Sequence, residues 1–265
     1  MVTTDGTKGH EGAGAAGILA VAALALILVD LLHEVGHLLA TALPLGVTPL
    51  SISTIGVSSR GASAVVAAAG PVTNLLLALC LLGASSRALT PAWRWFDWLF
   101  GTGNLFNATA YLIYSAASGT GDWAVTFDSL APPGLWRPLV GLAGCGLYAA
   151  SLVVSASVLR SLCASGVVAA SHVERYCALS YVCGGSVLTL GAFFNPVSPW
   201  YVLTSGAATG FGAMAGLMLV PVLLRRAPPP EPEGPESLEI GWPWIAAAIL
   251  AAAIFVGVFG PGVRL

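Results

Sequence analysis

His33-Glu34-Val35-Gly36-His37 places two imidazoles and a carboxylate inside an unbroken apolar stretch, in a chain that has only four histidines. On a helix, positions i and i+4 share one face, so His33 and His37 can reach a single ion while Glu34 leans toward a water on that ion. Zinc suits this chemistry, because it lowers the pKa of its water to about 7 and Glu34 can take the proton as the oxygen attacks a carbonyl. Ionisable groups at membrane depth are expensive and mark function by default. Zinc with two His ligands needs one more protein donor, usually a carboxylate, and an open position. Asp122 is the choice: Gly119-Thr120-Gly121 lets the backbone turn the side chain inward, and Trp123 can anchor the bend at the interface. Asp128 and Glu174 are its rivals.

Further polar residues fall near these. Asp30 precedes His33 by three positions, where it either orients an imidazole as an acceptor or raises the basicity of Glu34. Asn74 follows Gly70-Pro71, and its amide either grips a substrate carbonyl or the developing oxyanion, or bonds between helices. Asn104 and Asn107 raise the same question with less weight, being placed near the start of the third helix on the far face. Ser51 to Ser58 alternates polar and β-branched residues, a strand or hairpin at the membrane edge. Through Ile52 and Ile55 it either holds an unwound substrate by main-chain pairing or is a plain connection.

The elements that must position these groups are helices. Of 265 residues, 57% are hydrophobic and 8% charged, which excludes an ordinary soluble domain. The apolar runs lack barrel-type alternation, so the fold class is an all-α polytopic membrane protein with a short membrane-edge β-hairpin. Residues 1–13 read as a polar tail. Spans are expected over about 14–42, 62–82 and 103–118, two more between 138 and 194 that break near Arg160 or at His172-Val173-Glu174-Arg175, another over 201–224, and a last at 245–259, seven in all. Trp93, Trp95 and Trp98 read as an interfacial belt, and residues 225–242 as a Pro/Glu-rich linker. Cys80, Cys145, Cys163, Cys177 and Cys183 have neither metal-site nor disulfide spacing and read as small hydrophobes. A net charge of -2 without a basic stripe argues against nucleic acid as a partner.

Direction reversal at each span brings His33 and His37, the Gly70-Pro71 and Asn74 segment, and Asp122 to one membrane face. Together, His33-Glu34-Val35-Gly36-His37, Ala69-Gly70-Pro71-Val72-Thr73-Asn74 and Gly121-Asp122-Trp123 resemble the site-2 protease family of intramembrane zinc metalloproteases. The resemblance covers roughly residues 20–125. It implies a three-helix catalytic core over 14–125, with additional helices over 126–224 and a C-terminal helix over 243–265. It also implies zinc held by His33, His37 and Asp122, Glu34 as base, Asn74 near the substrate, and cleavage of a transmembrane substrate helix after local unwinding. In the family an Asn and prolines commonly precede an Asp-Gly pair; here Trp123 replaces that Gly and no proline intervenes after Asn107.

The bilayer and a transmembrane protein substrate are the expected partners, in a prokaryotic cell membrane, with homo-oligomer or adaptor open. Arg60, Arg137 and Arg264 fall on the motif's face against Lys8, Arg87, Arg94, Arg160, Arg175, Arg225 and Arg226 on the other. That bias puts the N-terminus inside and the zinc site outside, whereas the family usually places it nearer the cytoplasm. Alternative functions are a membrane metal-ion transporter and a pseudo-protease that binds membrane partners.

Overall fold

The computed structural model describes residues 14–84, 90–200, 202–231 and 236–265; the tail at 1–13, with Lys8, and Arg87 lie outside them. Alanine and leucine dominate α1, Ala15–Ala40, which ends four residues before Pro44. The hairpin follows as β1, Thr48–Ser53, and β2, Gly56–Arg60, antiparallel in the register Ile52 to Val57. Next come α2, Ala64–Ala84, α3, Pro91–Ser118, and the short α4, Asp122–Asp128. The second half holds α5, Pro133–Ala164, α6, Val173–Phe193, α7, Val202–Arg226, and α8, Trp242–Phe259. Val202–Gly212 of α7 is wound as a π-helix. A final strand, β3, Val263–Arg264, pairs with β1.

Six of these helices are long and apolar enough to cross a bilayer: α1, α2, α5, α6, α7 and α8. The protein is therefore a mostly helical, multi-pass membrane protein with a small three-stranded sheet. The remaining expected span, over 103–118, corresponds to α3, which has the length, at 28 residues, but is too polar to count with the others. It packs against α1, α2 and α5.

Three expectations about position change. Helix α3 starts at Pro91, with the Thr90 hydroxyl accepting from the Trp93 amide, twelve residues ahead of the expected Gly103. Trp95 and Trp98 are consequently core residues with no exposure, Trp98 donating to the Ser155 carbonyl, and only Trp93 of the proposed belt is exposed. Pro71 does not break α2: the helix runs through it, and Asn74 sits in mid-helix. The α5–α6 break covers 165–172, between the two expected places, and reaches the second only at His172.

The 225–242 segment is also more than a spacer. Ser237 donates through both its amide and its hydroxyl to the Gly166 carbonyl, Leu238 is buried, and Ile240 lies against Gly17 of α1. Arg94 bonds Ser165, Arg160 the Pro228 carbonyl and Arg225 Glu174, gathering the cations of one end of the bundle. Arg60, Arg137 and Arg264 belong to the other end, where the hairpin lies. Cys163 and Cys177 are buried, Cys80 and Cys145 exposed, and no described cysteine is paired in a disulfide.

Candidate metal centre

The centre is assembled where α1, α2 and α4 meet. His33 and His37 project from one face of α1, and two left-handed glycines, Gly119 at φ 71° and Gly121 at φ 84°, turn the chain after α3 so that Asp122 opens α4 beside them. His33 Nε2 lies 3.0 Å and His37 Nε2 3.1 Å from Asp122 Oδ2, and the two Nε2 atoms are 3.1 Å apart. These three side chains could hold a metal ion.

The surrounding hydrogen bonds fix which way each ring faces. Asn104 Nδ2 donates to the Phe100 carbonyl at 2.8 Å, so its Oδ1 accepts from Asn74 Nδ2, also at 2.8 Å. Asn74 Nδ2 donates as well to the Val29 carbonyl at 3.2 Å, which leaves Asn74 Oδ1 to accept from His33 Nδ1 at 2.6 Å. His37 Nδ1 donates to the Val66 carbonyl at 2.7 Å. Both neutral rings thus carry their proton on Nδ1 and turn an Nε2 lone pair toward the carboxylate. Three acceptors converging without a shared proton repel one another, and a cation between them removes the repulsion.

Glycine makes the approach possible. A Cβ on Gly70 would collide with Nε2 of both imidazoles, and one on Gly36 would collide with the Thr73 side chain. Gly36 therefore lets α1 close on α2, and Gly70 leaves the space the two rings fill. The second sequence motif is a mould of the first.

A cavity of about 1000 Å³ opens from this centre. Asp30, His33, Glu34, His37 and Asp122 line it, with Ile55 and Val57 of the hairpin on one side and Thr204, Ala208 and Gly212 of the π-helical stretch of α7 on another. Glu34 is buried, and among the described residues neither its Oε2 nor Asp30 Oδ2 has a hydrogen-bond partner.

Several expected roles shift. Asp30 bonds neither imidazole, because Asn74 and Val66 already occupy both Nδ1 positions. Asn74 has no exposure and spends its amide on protein partners, so the expected grip on a substrate gives way to orientation of His33. Asn104 belongs to this network and not to a far face, because the earlier start of α3 carries it to mid-helix. Ile52 is buried in β1, which is the central strand of the order β2-β1-β3 and is paired on both sides, so β1 has no edge to offer. Ile55 in the turn does line the cavity. Asp128 accepts from Trp136 Nε1 at 2.7 Å, and Glu174 pairs with Arg225 at the opposite end, so neither rival reaches the centre. Compared with known proteins, the chain matches no family model, no curated protein and no solved structure.

Proposed function

We propose that this protein is an intramembrane zinc metalloprotease, similar to the site-2 protease family, that hydrolyses peptide bonds in or near transmembrane segments of membrane proteins. One observation carries the reading: a converging two-nitrogen, one-oxygen acceptor set shares one cavity with a buried Glu34 whose Oε2 has no partner among the described residues, both imidazoles and Glu34 being on a helix apolar enough to cross a bilayer. The donor set suits zinc. Tetrahedral donors at about 2.0–2.1 Å from zinc lie about 3.3–3.4 Å from one another, close to the spacing seen here, and two imidazoles with a carboxylate leave a fourth position open. His33, His37 and Asp122 would hold the ion, which when bound acidifies a water and polarises a carbonyl.

The residues around it divide the remaining work. Glu34 removes a proton from the water and later delivers it to the departing amide nitrogen. Asn74 and the Val66 carbonyl keep both imidazoles in the tautomer that presents Nε2. An extended substrate segment fits beside β2, the sheet edge whose residues Val57 and Ser59 line the cavity; β3 already covers the other side of β1. The clustering of described Arg residues at the far end of the bundle supports a centre toward the outer side of the membrane.

Glu34→Gln tests the reading. Zinc content by elemental analysis of the purified full chain should match wild type, while peptide fragments found by mass spectrometry in membranes carrying the wild type should vanish. A general base contributes about 10²–10⁴-fold, so residual cleavage should be marginal. Unchanged fragments, or a wild-type protein that takes up no zinc, would sink the proposal. Altered zinc flux into vesicles without proteolysis would instead favour a transporter.

A further inference from the structure

We propose that Tyr111 is a catalytic residue of this hydrolysis, its phenol O–H donating to the carbonyl oxygen on which negative charge builds as the peptide bond is attacked. The assignment rests on the protease reading above. Tyr111 projects from α3 into the same cavity as His33, Glu34, His37 and Asp122. Its ring centroid lies 5.6 Å from that of His33, and stacking on Tyr114 at 5.7 Å fixes its plane. The hydroxyl is seated against the bend that delivers Asp122: a Cβ on Gly121 would come within 2.9 Å of it.

What sets this tyrosine apart is the direction of its one hydrogen bond. The Asp122 amide donates to the Tyr111 oxygen across a long 3.4 Å, which occupies a lone pair and leaves the phenol proton without an acceptor among the described residues. Within the ligand network the Asn74 amide is committed to Val29 and Asn104, and both imidazole Nδ1–H groups to Asn74 and Val66; the Asn107 amide and the Thr54 hydroxyl also line the cavity, but of these three Tyr111 is the one whose hydroxyl meets the Asp122 backbone. Tyr111 is therefore a spare, rigidly held donor beside a convergence of acceptors, and that is what stabilisation of a developing oxyanion requires.

The step balances without a further reactant. Glu34 takes one proton as the water oxygen bonds to the carbonyl carbon, and the carbonyl π pair moves onto oxygen, where the Tyr111 O–H binds it without giving up its proton. When that pair returns, the C–N bond breaks and the nitrogen leaves with the proton Glu34 held.

Tyr111→Phe in the purified full chain is the test, assayed with a fluorogenic peptide that spans a cleavage point found in the wild-type and Glu34→Gln membrane comparison. Removing one oxyanion donor costs about 10²–10³-fold in kcat, with KM little changed. Zinc content and thermal midpoint should stay at wild-type values. Wild-type kcat in Tyr111→Phe overturns the assignment and leaves the protease reading standing. Zinc loss in the variant overturns it too, since the hydroxyl would then serve to place Asp122. Absence of any wild-type cleavage removes the protease reading itself and this assignment with it.

Discussion

Both ends of the bundle bring histidine, carboxylate and tyrosine together, with opposite results. At the far end His172 Nδ1 bonds Glu236 Oε2 at 2.5 Å and the Tyr176 hydroxyl donates to Glu236 Oε1 at 3.1 Å. Each carboxylate oxygen has its partner, the Glu236 side chain is only 4% exposed, and the large cavity reaches none of the three residues. At the near end three acceptors point at one another, and among the described residues Asp30 Oδ2 and Glu34 Oε2 have no partner and the Tyr111 proton has no acceptor. Similar residue types thus make a closed latch in one place and an open site in the other. Hydrogen-bond satisfaction separates them, because a buried polar group left unmade costs about 1–3 kcal/mol and is retained where a ligand completes it.

The largest expected break in this contrast comes from one methyl group. Gly70→Ala puts a Cβ where both Nε2 atoms lie, and the rings cannot yield without losing their bonds to Asn74 and Val66. Zinc content should fall to background and proteolysis with it, while the helical circular-dichroism spectrum is retained. Stoichiometric zinc in this variant would mean that the imidazoles do not face Gly70, and the centre as described would be wrong.

A smaller effect should follow from Asn104→Leu, which alters no residue of the cavity lining. Asn74 keeps the Val29 carbonyl but loses the Asn104 acceptor, so its hold on His33 loosens. Groups that orient metal ligands are worth about 10–100-fold in affinity, and the lower end is expected here because Asn104 acts through Asn74. Competition with a chelator of known zinc affinity measures it; an unchanged dissociation constant would reduce the Asn74–Asn104 pair to helix packing.

Much of the near end is readable from local sequence because its information is local. His33 and His37 share a face by helical period, and Gly70 and Asn74 repeat that period on the helix packed against them. The hairpin is visible in its alternation, and the six apolar spans in their composition. What escapes depends on distance or on competing signals. Thr90-Pro91 is a helix-start signature that the tryptophans behind it mask, and missing it displaces Asn104 from the site. β3 is two residues long and lies more than two hundred positions from its partner Ile52, so nothing near either one announces that β1 is internal. Tyr111 is one of two tyrosines in α3, and no spacing rule singles it out. The docking of 236–241 is hidden by a proline-rich composition that elsewhere means a free linker.

The far end supplies the smallest prediction and the control for the others. Glu236→Gln keeps the size of the side chain but replaces a charged acceptor of two hydrogen bonds with an amide, which can accept through only one atom. Either the His172 or the Tyr176 bond to this side chain is then weakened, while Ser237 and Leu238 still hold the strap against the Gly166 loop. One net hydrogen bond is worth about 1 kcal/mol, which for a chain of this size lowers the thermal midpoint by roughly 2–4 °C. Zinc content and cleavage rate should not move, because the strap lies against the opposite ends of α1 and α5 from the metal ligands. A Glu236→Gln protein with normal stability and slowed cleavage would show that the closed cluster reports to the open one through α1, whose Gly17 carries the strap at one end and whose His37 faces Asp122 at the other.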